Sequence, residues 1–303
     1  MSVIILTFNE DANIEHTLRS VAAWAKEIIV IDSFSTDGTL DICRRFTDKI
    51  YQHTFNNQAQ QFNWALSNIP IDGEWILRLD ADETAAENLP EKIREALFNL
   101  PASVNGFYLR RRVYFLGRWM KHGGFYPKWI MRLFRKGKGR YEEVTEEHVV
   151  LSEGRALRLA TDFTDYNRKG LTFWVDKHNH WSMGEMLDTL SIMSQTGIPD
   201  GTVSPRLAGT QEQRTRWMKM NVYARAPILL RAFFYFIYRY IFRLGFLDGL
   251  EGLIFHFLQG CWYRFLIDAK IFEARQLGTE FARTKRQYTN SKPWESPVER
   301  ASN

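Results

Sequence analysis

Two aspartates separated by one residue, Asp80 and Asp82, follow the apolar run 75–79. Two carboxylates at this spacing could grip one divalent cation, Mg²⁺ or Mn²⁺, with a diphosphate completing its shell, or they could grip a ribose and a cation. The alternative is a solvated acidic turn that caps a helix predicted at 88–100. The position directly after an apolar run favours the binding interpretation.

Polar residues also follow two earlier apolar runs of the chain. The first run leads into Thr7, Asn9 and Glu10, and the second leads into Asp32. We predict that Thr7 and Asn9 line a base pocket and that Asp32 accepts hydrogen bonds from a base or a ribose. Glu10 either binds the ligand or caps the next helix, and the two roles stay open.

Short strands alternating with helices must position these residues. Continuous apolar runs at 3–6 and 28–31, and the mostly apolar run 75–79, predict strands that are covered on both faces. Alternation with helices predicts an α/β fold with a parallel sheet, in which ligands bind at the carboxyl ends of the strands. The three polar loops are therefore expected to converge. G-x-G-x-x-G does not follow the first strand and no G-x-x-x-x-G-K-[ST] occurs, which argues against dinucleotide-binding and P-loop proteins.

The middle of the chain is strongly basic. Residues 110–140 contain eleven Lys and Arg and no Asp or Glu, although the formal charge of the whole chain is only +5. This run favours an anionic partner, either a nucleotide diphosphate or a phosphorylated lipid, and Arg132 is predicted to contact the phosphates of a nucleotide. Nucleic acid is the rival partner, but the sequence has no helix-turn-helix, zinc-finger or RNA-binding signature.

Aromatic residues make up 15% of the chain and concentrate towards its carboxyl end. Within 227–246, Arg231, Tyr235, Arg239 and Arg243 recur at every fourth position, so a helix places them on one side. A basic stripe beside an aromatic face predicts a helix in a membrane interface, with arginines reaching towards headgroups. The alternative is a helix packed against the rest of the protein, which the cost of burying arginine disfavours.

Several blocks of the sequence together resemble one family. TFNE, IIVIDSFSTDGT and WILRLDADE are similar to the nucleotide-sugar domain of family 2 glycosyltransferases, which have the GT-A fold. The basic segment, KHNHWSMGE and RLGFLDGLEGLIFHFL are similar to the bacterial branch that builds lipopolysaccharide core and exopolysaccharide. The resemblance implies an α/β, GT-A-type domain with a mostly parallel central sheet, followed by a helical, membrane-associated region.

The resemblance also implies roles for single positions. Asp32 matches the acid that contacts the base, Asp80 matches the residue near ribose and metal, and Asp82 matches the metal ligand. The implied cofactor is a divalent cation, Mg²⁺ or Mn²⁺. The loop that meets the nucleotide is matched by Thr7, Asn9 and Glu10.

Members of the family invert the anomeric centre, and they need a base that removes a proton from the acceptor hydroxyl. In this branch a His-Glu pair commonly follows the strand that ends in RLF. Here Glu146 replaces the expected histidine, and Glu147 keeps the glutamate position. Glu147 is therefore the leading candidate for the base and Glu146 the second, whereas His148 is interpreted as a partly exposed strand residue.

The predicted organisation is a catalytic domain at 1–195, with a nucleotide-binding half up to about residue 100 and a mixed, partly antiparallel acceptor half after it. A linker at 196–215, an aromatic helical region at 216–277 and a polar tail at 278–303 follow. With 45% hydrophobic residues the chain is not intrinsically disordered, and its two cysteines exclude a disulfide scaffold and fit a reducing compartment.

The predicted function is an inverting, metal-dependent glycosyltransferase. The donor is a nucleoside-diphosphate sugar, with UDP-sugars as the first candidates. The acceptor is a lipid-linked or cell-surface glycan in polysaccharide or lipopolysaccharide biosynthesis. We expect a peripheral protein at the cytoplasmic face of the bacterial inner membrane, which touches the membrane through 227–266 and has no nucleic-acid partner. The alternative is a non-catalytic nucleotide-sugar or glycan-binding protein of the same fold.

Overall fold

A computed structural model of the protein describes residues 1–142, 148–193 and 205–277. Strands and helices alternate over its first part, where every predicted strand and helix is confirmed. The elements are β1 (Ser2–Thr7), α1 (Ile14–Ala22), β2 (Glu27–Asp32), α2 (Thr39–Cys43), β3 (Ile50–Gln52), α3 (Gln58–Asn68) and β4 (Trp75–Asp80).

The second part of the chain is dominated by strands. Its elements are β5 (Glu83–Ala85), α4 (Leu89–Leu97), β6 (Val104–Phe115), β7 (Arg118–Trp119), β8 (Lys128–Arg135), β9 (Gly139–Tyr141), β10 (Val149–Leu151) and β11 (Arg155–Asp165). The strands β6, β8 and β10 confirm the expected extension. The sequence pattern predicts no strand over β11, because polar residues interrupt its apolar ones and a bulge lies between Arg158 and Asp162.

The main sheet has the strand order β3-β2-β1-β4-β8-β6-β11-β5, and β7 pairs with β6. The four strands of the first part are parallel to one another. The strand β8 is antiparallel to both β4 and β6, whereas β11 again runs parallel to β6. The α/β fold is therefore confirmed, with a parallel half that holds the predicted loops and a mixed half beyond it.

Apolar side chains cover both faces of the parallel half. In β1, Val3 and Ile5 belong to the core that includes residues of α1 and α4, whereas Ile4 and Leu6 belong to the core that includes residues of α3. Side chains of a strand alternate between faces, so burial on both sides requires the continuous apolar run. Because both faces are covered, the position of each strand in the sheet is fixed. The polar loops at the ends of these strands are therefore fixed as well.

The remaining elements are helical. They are α5 (Gly170–Met193), α6 (Gln211–Met218), α7 (Leu230–Ile237), α8 (Gly249–Phe257) and α9 (Tyr263–Leu277), with π-helical turns at Lys219–Tyr223, Tyr238–Phe242 and Leu258–Trp262 and a 3₁₀ turn at Gly245–Asp248. The helix α6 begins inside the segment 196–215, with Thr210 as its N-cap. The rest of that segment up to residue 204, and the tail 278–303, lie outside the described residues.

Two of the arginines predicted to reach headgroups are instead buried. Arg231 is 2% exposed, and its Nε donates to Oδ1 of Asp268 at 2.9 Å. The Nε of Arg239 donates to the carbonyl oxygen of Gly123 at 2.8 Å, and its guanidinium lies over the ring of Phe125. The prediction for these two side chains is wrong, because partners distant in sequence compensate the cost of burying them.

Many large apolar side chains of this region are exposed. Within the described residues, no helix combines the length and the apolar character needed to cross a membrane. We name the exposed large apolar side chains between residues 230 and 257 the aromatic face. It consists of Leu230, Phe233, Phe234, Ile237, Tyr238, Ile241, Phe242, Leu244, Phe246, Leu247, Leu250, Leu253 and Phe257.

Candidate functional site

The three predicted loops meet at the carboxyl ends of β1, β2 and β4. In the sheet register Thr7 lies beside Asp32, and Leu6 lies beside Asp80. The first two loops also bind each other, because the backbone N–H of Asn9 donates to Oγ of Ser35 at 2.8 Å. The predicted convergence is confirmed for all three loops.

Asp32 is buried at the base of the second loop. Its carboxylate accepts hydrogen bonds from the backbone N–H of Ser35 at 3.0 Å and from Nε2 of Gln52 at 2.9 Å. These bonds fix the carboxylate and the loop together. The neighbouring hydroxyl of Thr7 is buried and has no hydrogen-bond partner among the described residues, so it could bond to a ligand.

Asp80 is surrounded by arginines. Its Oδ1 pairs with Nη2 of Arg78 at 2.5 Å, and its Oδ2 lies 3.4 Å from Nη2 of Arg132. Arg132 is itself buried, forms an ion pair with Glu83 and donates to the hydroxyl of Tyr141 at 3.2 Å. Arg132 therefore binds two carboxylates of the acidic turn 80–83.

Asp82 faces a different set of groups. Its Oδ2 accepts from Nδ2 of Asn167 at 3.1 Å and lies 3.8 Å from Nζ of Lys177. A second lysine, Lys169, pairs with Glu10 at 2.8 Å. The side chain of Glu10 therefore faces the site, while its carbonyl oxygen accepts the backbone bonds at the start of α1.

The two aspartates respond to these surroundings in opposite directions. Burial raises the pKa of Asp80, with Arg78 acting against the rise and Asp82 adding to it. Burial also works to raise the pKa of Asp82, but attraction by Lys177 and the hydrogen bond from Asn167 leave it below its usual range. Lys177 and Asn167 thus favour the ionised form of Asp82.

Several residues of the site are not among the predicted ones. Asp165 ends β11, Asn167 and Lys169 lie between β11 and α5, and Lys177 lies on α5. All four come at the end of, or after, the strand that the pattern does not predict. Lys177 alone carries a sequence signal, because it opens the KHNHWSMGE stretch. A third acid, Asp165, interacts electrostatically with both Asp80 and Asp82.

The donor set suits a cation that shares its shell with a substrate. Among the described residues, no group of three or more Asp, Glu, His or Cys side chains has the geometry of a metal centre. Asp80 and Asp82 offer two carboxylates, and Mg²⁺ is usually held by one or two carboxylates with phosphate oxygens and water. These two residues fit a cation that arrives with a diphosphate.

Glu146 and Glu147 lie outside the described residues, but both ends of their segment are placed. The N–H of Glu142 donates to the carbonyl oxygen of His148 at 3.0 Å, and Nδ1 of His148 lies 2.9 Å from Oε1 of Glu142. The preceding residue, Tyr141, contacts Arg132 of the acidic site. The residues on either side of 143–147 are therefore bonded to each other, and Tyr141 connects them to that site.

A nucleotide-sugar fold of the GT-A type is defined by this sheet and its strand-end loops. The family model for glycosyl transferase family 2 matches residues 2–159, and the chain belongs to that family. A lipopolysaccharide core biosynthesis glycosyltransferase, LpsC, of Rhizobium meliloti (strain 1021) is 30% identical over 170 residues, which are 53% of this chain and 60% of LpsC.

Other similarities are shorter or structural. An uncharacterized glycosyltransferase of Rickettsia bellii is 37% identical over 93 residues, 31% of each chain, so the alignments span less than two thirds of both relatives. The structure of the mannosyltransferase PcManGT from Pyrobaculum calidifontis, in complex with GDP-Man and Mn²⁺, superposes with a TM-score of 0.51. The two chains are 15% identical, and the superposition covers 89% of this chain and 85% of PcManGT. This similarity supports the assignment of the fold.

The partly buried acid Asp165 predicts a pH-dependent stability. Burial raises its pKa from 3.8 to about 6, so the folded protein binds this proton more tightly than the unfolded chain does. The stabilisation that this proton gives the folded protein is complete below the pKa of Asp165 in the unfolded chain. It is lost as the pH rises through the pKa of Asp165 in the folded protein. We expect Asp165→Asn to melt close to wild type at about pH 4 and at a higher temperature at about pH 7.5.

Thermal unfolding in EDTA measures this difference, with the exposed Asp41→Asn as the control that removes an equal charge. A melting difference between Asp165→Asn and wild type that does not change with pH would contradict the prediction.

Proposed function

We propose that this protein is an inverting, metal-dependent glycosyltransferase that transfers a hexose from a nucleoside-diphosphate sugar, with UDP-sugars as the first candidates. The acceptor is a lipid-linked or cell-surface glycan, in polysaccharide or lipopolysaccharide biosynthesis. The observation that carries the proposal is the meeting of three loops at the carboxyl ends of parallel strands, which brings Asp80 and Asp82 to the same sheet edge as Thr7 and Asp32. Family membership and the similarity to LpsC support it.

The donor occupies the carboxyl ends of β1, β2 and β4. Asp32 and Asn9 shape the pocket for base and ribose, and the free hydroxyl of Thr7 faces a donor group. Asp80 and Asp82 hold the divalent cation, which when bound neutralises the charge that develops on the leaving diphosphate. The arginines beneath Asp80 fix the orientation of its carboxylate, so the site is formed before the donor arrives.

A carboxylate of the segment 143–147 acts as the base. Glu147 is the first candidate and Glu146 the second, as the family pattern implies. The base takes the proton of the acceptor hydroxyl while that oxygen bonds to the anomeric carbon and the bond to the diphosphate breaks. One displacement of this kind inverts the configuration, and it needs no covalent intermediate on the protein.

The acceptor approaches from the side of the helical region. Arg110 and Arg112 of β6 pair with the buried Asp162, which fixes two cations of the basic segment on that strand. A third cation of the basic segment, Arg118, contacts the helical region, where its Nη2 donates to the carbonyl oxygen of Leu247 at 3.4 Å. A basic surface beside an apolar one suits an anionic membrane, and we place the protein at the cytoplasmic face of the inner membrane, peripherally bound through 227–266.

Substitution of Asp82 tests the enzymatic proposal. Asp82→Asn keeps the shape but removes the ionised carboxylate, so we expect release of nucleoside diphosphate from a panel of UDP-sugars and GDP-mannose to fall by ~100-fold or more. The exposed Asp41→Asn is the control, and folding of each variant is verified by its melting temperature. A wild type that binds a nucleotide sugar but neither hydrolyses nor transfers it would favour the non-catalytic alternative.

The identity of the base is tested by single amide substitutions. We expect Glu147→Gln to lower transfer by ~10²–10⁴-fold, because an amide cannot accept the proton, while nucleotide affinity stays unchanged. Glu146→Gln serves as the matched neighbour and is expected to have the smaller effect. Transfer at wild-type rates by both variants would exclude the segment 143–147 as the source of the base.

Membrane association is tested by vesicle flotation. Phe234 and Phe242 are the most exposed phenylalanines of the aromatic face, so the double substitution to Ser should lower the fraction that floats with anionic vesicles. Phe98→Ser is the matched control, since Phe98 is equally exposed but lies at the end of α4. A wild type that stays with the soluble fraction would rule out the interfacial role.

A further inference from the structure

The KHNHWSMGE stretch lies on α5 and places one charged group at the acidic site. The side chains of Lys177 and Asp82 are 23% and 13% exposed, and Nζ lies 3.8 Å from Oδ2. The next residue, His178, is turned away from Asp82, because its ring stacks on Trp174 and its Nδ1 bonds to the carbonyl oxygen of Trp174 at 2.8 Å. Lys177 is therefore the residue of this stretch that acts at the site.

Two rings of the same helix flank the ammonium group of Lys177. Phe173 and Trp181 lie four residues before and after it, so all three share one side of α5. Nζ is 6.0 Å from the ring centroid of Phe173 and 4.7 Å from that of Trp181. The ammonium group of Lys177 thus lies between two rings, and the flexible four-carbon side chain allows the charge to change position.

The two aspartates differ in which positive groups balance them. Arg78 and Arg132 serve Asp80, and both guanidinium groups are buried in the strands β4 and β8. The cation that pairs with Asp82 is Lys177, on a flexible stem and at a distance longer than a hydrogen bond. The counter-charge of Asp80 is thus fixed, and that of Asp82 can be displaced.

This arrangement has a consequence for the entry of a divalent cation. A free cation that approaches Asp82 also approaches an ammonium group within 4 Å of the same carboxylate, and the like charges repel. A diphosphate changes this balance, because its oxygens accept hydrogen bonds from the ammonium and share the added positive charge. Cation and diphosphate together are therefore favoured over the cation alone.

We propose that Lys177 is a positioning residue that makes cation binding at Asp82 depend on a nucleotide diphosphate. Without the nucleotide, its ammonium group neutralises Asp82 and disfavours a free divalent cation. With the nucleotide, the ammonium turns to a diphosphate oxygen and leaves the carboxylate to the cation. The inference rests on the proposed function, since it takes the cation and the diphosphate as ligands.

Direct measurement of Mn²⁺ binding tests this role without any turnover. The free ion is followed by electron paramagnetic resonance in titrations of wild type, Lys177→Met and Lys177→Gln, each alone and with UDP or GDP. We expect the wild type to bind Mn²⁺ weakly alone and about tenfold more tightly with the nucleotide that it accepts. Lys177→Met and Lys177→Gln should bind Mn²⁺ alone about tenfold more tightly than wild type, and the nucleotide should then raise the affinity by a smaller factor than it does in wild type.

The control is Lys92→Met, which removes the same charge from a lysine of α4 that pairs with Glu95. Melting temperatures verify that each variant is folded, and the two substitutions at Lys177 differ in polarity so that one packing defect does not decide the result. If wild type gains Mn²⁺ affinity from a nucleotide but neither Lys177 variant binds the ion alone more tightly, the inference is wrong and the proposed function stands. If wild type binds no Mn²⁺ with either nucleotide, both are overturned.

Discussion

Charge balance around the buried acids after β4 is the constraint on which the rest of the structure depends. Asp80 and Glu83 lie where water has little access, and Arg132 reaches them from β8, about fifty residues further along the chain. Removing one partner of a buried ion pair leaves an uncompensated charge at a cost of about 3–5 kcal/mol. The insertion of β8 beside β4 and the docking of α5 over the strand ends therefore have one common requirement: each brings positive charge to the same turn.

The parallel half of the fold could be predicted because its signal is local. A strand buried on both faces must be apolar throughout, and runs such as 28–31 meet that condition without reference to any partner. The strand β11 does not, since its polar residues acquire partners only after folding, as Asp162 does with Arg110 and Arg112. Contacts of this kind join residues about fifty positions apart, and no spacing within the sequence indicates them.

The dependence on partners distant in sequence also explains why the burial of two arginines in the helical region was not predicted. Spacing by four placed Arg231 and Arg239 on one side of a helix, and that part of the prediction agrees with the structure, which buries both on one side. What the sequence pattern could not decide was the environment of that side. Asp268 makes burial of Arg231 tolerable, and it lies two helices further along the chain. Within the site, the pairing of Lys177 with Asp82 spans an even longer separation in sequence.

The helix α5 connects the acidic turn to the C-terminal helix α9 at a fixed distance. Lys177 stands at the acidic turn, while Glu185, two turns later, bonds to Tyr263 at 3.0 Å and to Arg264 at 2.7 Å on α9. Eight residues of α-helix span about 12 Å, and such a segment resists both stretching and bending. The helix thus acts as a rigid rod between Asp82 and α9, so a displacement of α9 along the axis of α5 would be carried to the acidic turn.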